Sequence, residues 1–249
     1  MFPNTNNMKF IVSLFICSLL VSFASAEATK ILFLGNSYTA QSAKFIKEVF
    51  NRDGASYELR FVTPGGKDLH FHLTNPTSRQ ALHSAKWDFV VIQDQSQKPG
   101  LGGQYTQGFH TAAKGLCKAI GKQGAKPCLF MTWGRRNGDK RNKPIFPDFP
   151  VMHGKISAAY EKAAKDNDVL LAPVGHAFAI IHRQDRALFM KLYKPDGSHP
   201  SDHGGYLAAC VLWGTLTGKD PHSIRWNGPL AASDAKTLRA AAAKATLKR

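Results

Sequence analysis

Gly35-Asn36-Ser37 follows the apolar run Ile31-Leu32-Phe33-Leu34, and Asp196-Gly197-Ser198-His199 lies near the other end of the chain. A serine hydroxyl becomes a useful nucleophile only when a base takes its proton, and a carboxylate commonly orients that base. Ser37, His199 and Asp196 supply these three groups, so acyl transfer through a serine is the chemistry they could perform. Each fragment alone also reads as an ordinary turn or helix cap. Their occurrence together, in order and at element ends, is what points to a site.

For residues so far apart to meet, the elements between them must bring them to one edge. Strand-like runs at 30–35, Tyr57–Val62, Phe89–Ile92, Cys128–Thr132 and Val169–Ala172 alternate with helix-like stretches at 40–51, 106–122, 152–165 and 201–216. Continuous apolar runs separated by helices are what a parallel sheet covered on both faces requires. The pattern predicts an α/β fold, a three-layer α/β/α sandwich around a parallel, roughly five-stranded sheet. Ligands of such sheets bind beyond the carboxyl ends of the strands. Ser37, Gly66, Gln93 to Ser96 and Trp133 all follow strand ends and are expected to share a site.

These blocks resemble those of the SGNH (GDSL-like) hydrolase superfamily, in a divergent branch with Gly-Asn-Ser in the nucleophile block, and the resemblance runs from Ile31 to about Pro221. It implies a flavodoxin-like SGNH hydrolase fold with Ser37 as nucleophile, His199 as general base and Asp196 as its orienting partner. It also implies an oxyanion hole made by the N–H groups of Ser37 and Gly66, with Gly65 the neighbouring alternative. The family typically has Gly-x-Asn-Asp after the third strand, whereas Gln93-Asp94-Gln95-Ser96 stands there in this chain. Gln95 aligns with the asparagine and would be the third donor, with Gln93 as the other candidate. Asn36, Gln93, Trp133, Arg135 and Arg136 are the expected substrate-binding residues. No cofactor and no metal ligand is expected.

Residues 1–26 read as a secretory signal: Lys9, an apolar run from Phe10 to Phe23, then Ala24-Ser25-Ala26. That run is shorter than the roughly 20 residues of a membrane span. The remaining 223 of the 249 residues (27–249) are expected to form a single domain with a basic, alanine-rich C-terminal helix or tail that packs loosely, Ser233 being placed to cap it. The reading places the protein outside the cell or in the periplasm, without stable membrane insertion. A formal net charge of +16 then favours anionic polysaccharide or an anionic cell surface over nucleic acid. The loop from Trp133 to Pro150, with Arg135, Arg136, Lys140, Arg141 and Lys143, reads either as a solvated face or as a surface for an acidic or sulfated glycan.

Together these readings predict a serine esterase removing small acyl groups, acetyl foremost, from a carbohydrate that is its main partner. A lipase- or thioesterase-like acyl hydrolase and a non-catalytic glycan-binding module on the same fold are the alternatives, and charge-driven surface adhesion is a third. The rival constellations are weaker. His199 and His203 with His70 and His72 lack the H-E-x-x-H pattern of a zinc site, no G-x-S-x-G elbow is present, and Gly65-Gly66-Lys67 lacks the rest of a phosphate loop. Ser96 and Ser198 are other hydroxyls, but neither ends the first strand. Cys117 and Cys128 could form a bridge, or the mature cysteines could all be small buried residues. The oligomeric state is not legible.

Overall fold

The computed structural model describes Met1 and residues 27–246. The leader reading falls on residues 1–26, outside the described residues apart from Met1. Five strands, β1 (Thr29–Leu34), β2 (Tyr57–Val62), β3 (Phe89–Ile92), β4 (Lys126–Phe130) and β5 (Leu170–Ala172), pair in parallel in the order β2-β1-β3-β4-β5. Side chains alternate across this sheet and find a core on both sides. Ile31 and Phe33 of β1 join the packing on one face, and Leu32 and Leu34 join that on the other. This double burial is why the strands read as unbroken apolar runs.

Helices α1 (Ser37–Asn51), α6 (Val174–Gln184), α7 (Arg186–Lys191), α8 (Asp202–Thr217) and α9 (Ala232–Thr246) cover the first face; α2 (Leu69–Thr74), α3 (Pro76–His83), α4 (Gly103–Lys122) and α5 (Phe149–Asn167) cover the second. Sequence patterning misses α2, α3, α6 and α7. The first two are single short helices whose signals are caps: Asp68 accepts from Phe71 N–H, and Asn75 caps α3 with Pro76 in its first turn. The strand order reverses between β1 and β3, which opens a crevice beyond their carboxyl ends. Among the described residues no helix is long and apolar enough to cross a membrane.

Two expectations about the C-terminal segment are corrected, and of the two readings offered for the cysteines the unbridged one holds. The C-terminal segment does not pack loosely: α9 buries Ala235, Leu238, Ala241 and Ala242 in the first core, against α8 and α6. Its alanines permit the close approach, and Arg239 Nη1 fixes it by donating to Asn227 Oδ1 (2.7 Å) and the Tyr206 hydroxyl (2.9 Å). Ser233 lies inside this helix, not ahead of it. Cys117 is a buried free thiol, not bridged to Cys128. The two belong to the cores on opposite faces of the sheet, so a bridge would have to pass through it.

Docking of α9 into the core sets a measurable cost. Leu238→Ala is expected to destabilise the protein by about 2–5 kcal/mol in a urea titration, as for a core leucine. A loosely packed tail would give a change near zero.

Candidate active site

β1 must end in a turn tight enough to start a helix at once, and Gly35 allows it. A Cβ there would lie 2.3 Å from Thr39 Oγ1 and 2.9 Å from Gln93 Oε1. Asn36 then caps α1, its Oδ1 accepting from Tyr38 N–H at 3.1 Å. The same amide donates through Nδ2 to the Lys67 carbonyl (2.8 Å) and the Asp94 carbonyl (3.2 Å). One side chain thus ties together the loops that follow β1, β2 and β3. Ser37 becomes the first residue of α1, so its N–H belongs to the helix terminus that has no intrahelical acceptor and carries positive dipole.

His199 reaches this serine from the other end of the chain. Ser37 Oγ is 2.9 Å from His199 Nε2, and His199 Nδ1 is 2.6 Å from Asp196 Oδ2. Asp196 Oδ1 accepts from the N–H groups of Ser198 (2.8 Å) and His199 (3.0 Å). Burial alone would raise its pKa, but the hydrogen bonds from His199 and these two amides outweigh it and hold the carboxyl below its usual range. A carboxylate only accepts, so Nδ1 carries the imidazole proton and Nε2 is left to accept from Ser37.

The segment that carries Asp196 is fixed from several sides. Arg136 N–H donates to the Gly197 carbonyl (2.8 Å), and Lys194 N–H to the His199 carbonyl (2.9 Å). Trp133 Nε1 donates to the Ser198 carbonyl at 3.1 Å. The Trp133 ring is stacked between Tyr38 (4.7 Å) and Phe178 (4.3 Å), and Tyr38 in turn meets His199 edge-on at 5.3 Å. The Tyr38 hydroxyl bonds to Ser198 Oγ at 2.6 Å.

Ser37 and His199 open into a pocket of about 260 Å³ with Asn36, Tyr38, Gly66, Gln95, Ser96, Arg135 and Ser198 around it. Gly66 sits in the turn after β2 with a φ of +70°, closed by Lys67 N–H on the Pro64 carbonyl. Gln95 is oriented by its neighbours: its Oε1 accepts from Gln97 N–H (2.7 Å) and Lys98 N–H (3.2 Å). Backbone donors require the oxygen, which leaves Nε2 as the end available to the pocket.

The other expected binding residues fall elsewhere. Gln93 is buried beneath the turn, its Oε1 accepting from Asn36 N–H (3.1 Å) and Thr39 Oγ1–H (2.8 Å). Trp133 is 0% exposed, so it supports the Ser198 loop and touches no solvent-borne ligand. Asn36 borders the pocket, but its amide is spent on the three loops. Arg135 does line the pocket and also the adjoining cleft of about 250 Å³, where Arg136, Lys140 and Arg141 lie beside Asp196 and Gly197. Arg136 therefore faces this cleft and not the serine pocket. Asp139, 1% exposed, anchors the loop by accepting from Arg135 Nη1 (2.8 Å), Asn142 Nδ2 (2.7 Å), Arg141 N–H (3.2 Å) and Gln97 Nε2.

His203 pairs with Asp234 Oδ2 at 2.9 Å, away from His199. No group of three or more His, Cys, Asp or Glu among the described residues is arranged to hold a metal ion.

Two functional supports escaped sequence reading. His72 is buried under the turn that carries Ser37, with Nε2 2.9 Å from the Gly35 carbonyl and Nδ1 2.8 Å from Ser78 Oγ. The carbonyl can only accept, so Nε2 is protonated, and burial pushes the imidazole pKa down and keeps the ring neutral. Asp94 is the second: one oxygen accepts from Leu69 N–H (3.1 Å), the other has no partner, and burial pushes its pKa up to about 7. Neither residue has a spacing that would mark it in the sequence.

No family model matches the chain, and no curated protein matches it. Solved structures do. A candidate SGNH hydrolase from Slackia heliotrinireducens is 30% identical, with a TM-score of 0.64 over 76% of this chain and 100% of its own. A DUF4886 family protein from Bacteroides uniformis is 19% identical with a TM-score of 0.76, over 89% and 96% of the two chains. An acetylxylan esterase from Geobacillus stearothermophilus is 11% identical with a TM-score of 0.55, over 76% and 94%. The last two show the shared fold.

Asp94 gives the site a pH signature. Its folded pKa lies above the unfolded value near 3.9, so the folded state holds more protons between about pH 4 and 7. Its contribution to stability therefore falls as pH rises through that window, by at most about 1.4 kcal/mol per pH unit. Asp94→Asn is expected to remove that slope and to be no less stable than the parent above pH 7, as read from urea midpoints at successive pH values.

Proposed function

This chain belongs to the SGNH hydrolase superfamily, acyl ester hydrolases, and we propose that Ser37, His199 and Asp196 form its catalytic triad in the service of a short-chain esterase acting on carbohydrate. The observation that carries this reading is the line of hydrogen bonds from Ser37 Oγ to His199 Nε2 (2.9 Å) and from His199 Nδ1 to Asp196 (2.6 Å). Ser37 Oγ attacks the acyl carbon while His199 Nε2 takes its proton, and the Asp196 carboxylate stabilises the resulting imidazolium. The negative charge that develops on the acyl oxygen falls to the N–H groups of Ser37 and Gly66 and to Gln95 Nε2. Collapse expels the sugar oxygen, which receives the proton from His199. Water, deprotonated by the same imidazole, then frees the acid and restores Ser37.

The pocket supports a small acyl group. At about 260 Å³ it is small, and no aliphatic side chain lines it. A long acyl chain needs more enclosed volume than this to leave water, so the small size favours acetyl over the lipase- or thioesterase-like reading. The adjoining cleft supports an anionic glycan: Arg136, Lys140 and Arg141 stand there beside Arg135, which borders both spaces. The leader-like residues 1–26 support export to where such glycans occur.

Activity on a chromogenic ester series tests both parts. Ser37→Ala is expected to lose at least about 10³-fold in kcat while keeping its fold, and retained turnover would remove the triad assignment. Rates should fall from acetyl through butyryl to octanoyl; a rise with chain length would favour the lipase-like reading. For the third oxyanion donor, Gln95→Ala is expected to lower kcat about 10²–10³-fold with little change in KM. An unchanged kcat would take Gln95 out of the oxyanion hole.

A further inference from the structure

A cavity larger than the one around Ser37 lies elsewhere in the molecule. A space of about 770 Å³ lies at the far end of α1 and α8, bordered by Arg52, Asp53, Trp213, Lys219, Arg225 and Trp226. Both helices start at the catalytic edge, α1 with Ser37 and α8 just after His199, and run back along the first face of the sheet. The 15 residues of α1 span roughly 20 Å at 1.5 Å per residue, so the two spaces lie at opposite ends of the domain. Nothing in the chemistry at Ser37 uses this second cavity.

Its wall combines indole rings with cations, and its acceptors are spent. Asp53 is the one carboxylate there: both oxygens accept from Lys219 Nζ at 2.9 Å, and Oδ2 also accepts from the Tyr57 hydroxyl at 2.6 Å. Arg52 is paired as well, with Glu48 Oε2 at 3.1 Å, so among the cations bordering the cavity Arg225 is the one left over. Arg225 is exposed and has no acidic partner among the described residues. The Arg52 guanidinium lies 5.5 Å from the Trp226 ring centre, and Lys219 Nζ lies 6.0 Å from that of Trp213. Trp213 is 2% exposed, yet its indole N–H has no acceptor.

We propose that this cavity is a second, non-catalytic site that binds an oxyanion group, sulfate or carboxylate, carried on a sugar ring of an acidic glycan. Arg225 meets the charge, and the indole of Trp226 offers apolar surface to the ring. Indoles alone would suit a neutral sugar and cations alone a free anion; together they select a ring that bears the charge. The inference shares the acidic-glycan reading given above but does not depend on the triad, because it concerns binding alone.

The test is tryptophan fluorescence titration of the full Ser37→Ala protein, in which turnover cannot intervene. The probes are a sulfated dextran oligosaccharide, an oligogalacturonate and a neutral dextran oligosaccharide of equal length. At least one anionic probe should bind at least tenfold tighter than the neutral one, and the better of the two identifies the oxyanion. Arg225→Glu should weaken that binding at least tenfold, and Arg225→Gln by a smaller factor. Lys118→Glu, the same charge change on exposed α4 across the sheet, should alter it less than twofold. Equal weakening by Lys118→Glu would mean that overall charge attracts the glycan and would overturn the site. So would equal affinity for neutral and anionic probes, or no binding by any of them. Failure of ester turnover in the unsubstituted protein would touch only the triad.

Discussion

The candidate site depends on the Asn36 side chain more than on any other single group. A parallel sheet delivers its strand ends to one edge, but it does not say how the loops beyond them sit relative to one another. Asn36 does so by capping α1 and donating to the loops after β2 and β3. The first loop holds Ser37, the second Gly66 and the third Gln95. Their spacing relative to one another is therefore set by one planar amide, supported from below by Gln93 and by His72 on the Gly35 carbonyl. An aspartate at this position would offer the two carbonyls no donor, so the loops of this chain require the amide.

His199 reaches Ser37 by different means. His199 belongs to a segment with little regular structure, between α7 and α8, and its position comes from side chains. Trp133 ties the Ser198 carbonyl to a stack of three rings that reaches into the core, so the histidine is located relative to the sheet and not merely to its own loop. Aromatic stacking of this kind contributes about 0.5–1.5 kcal/mol per pair beyond area burial, and it fixes orientation as well.

How much of this was legible in the sequence follows from what each residue's signal is. The strands were legible because both sheet faces bury them, and Ser37, Asp196 and His199 because they stand at element ends with recognisable spacing. Gln95 stood ahead of Gln93 only through its alignment with the family's asparagine: they are two residues apart in one loop, and the loop's path decides which amide is buried and which borders the pocket. Trp133 was misplaced for a similar reason, since a residue just past a strand can turn inward as readily as outward. The C-terminal helix was misread because alanine gives no strong apolar pattern, although its small side chain is what lets α9 lie close against α8. His72 and Asp94 act through burial and hydrogen bonding, which leave no mark in spacing.

Asp139 has a consequence for how the site meets a ligand. A loop of this length and charge, between β4 and α5, would ordinarily be a flexible arm that loses freedom when it closes on its target. Here one buried carboxylate gathers four donors, including Gln97 from the neighbouring Gln95 loop, so the loop's shape is set during folding. Association then requires little further ordering of the protein, and selection falls to fit and charge placement. A substrate that does not match the existing cleft gains nothing from rearrangement, so such a surface discriminates by rejection rather than by adaptation.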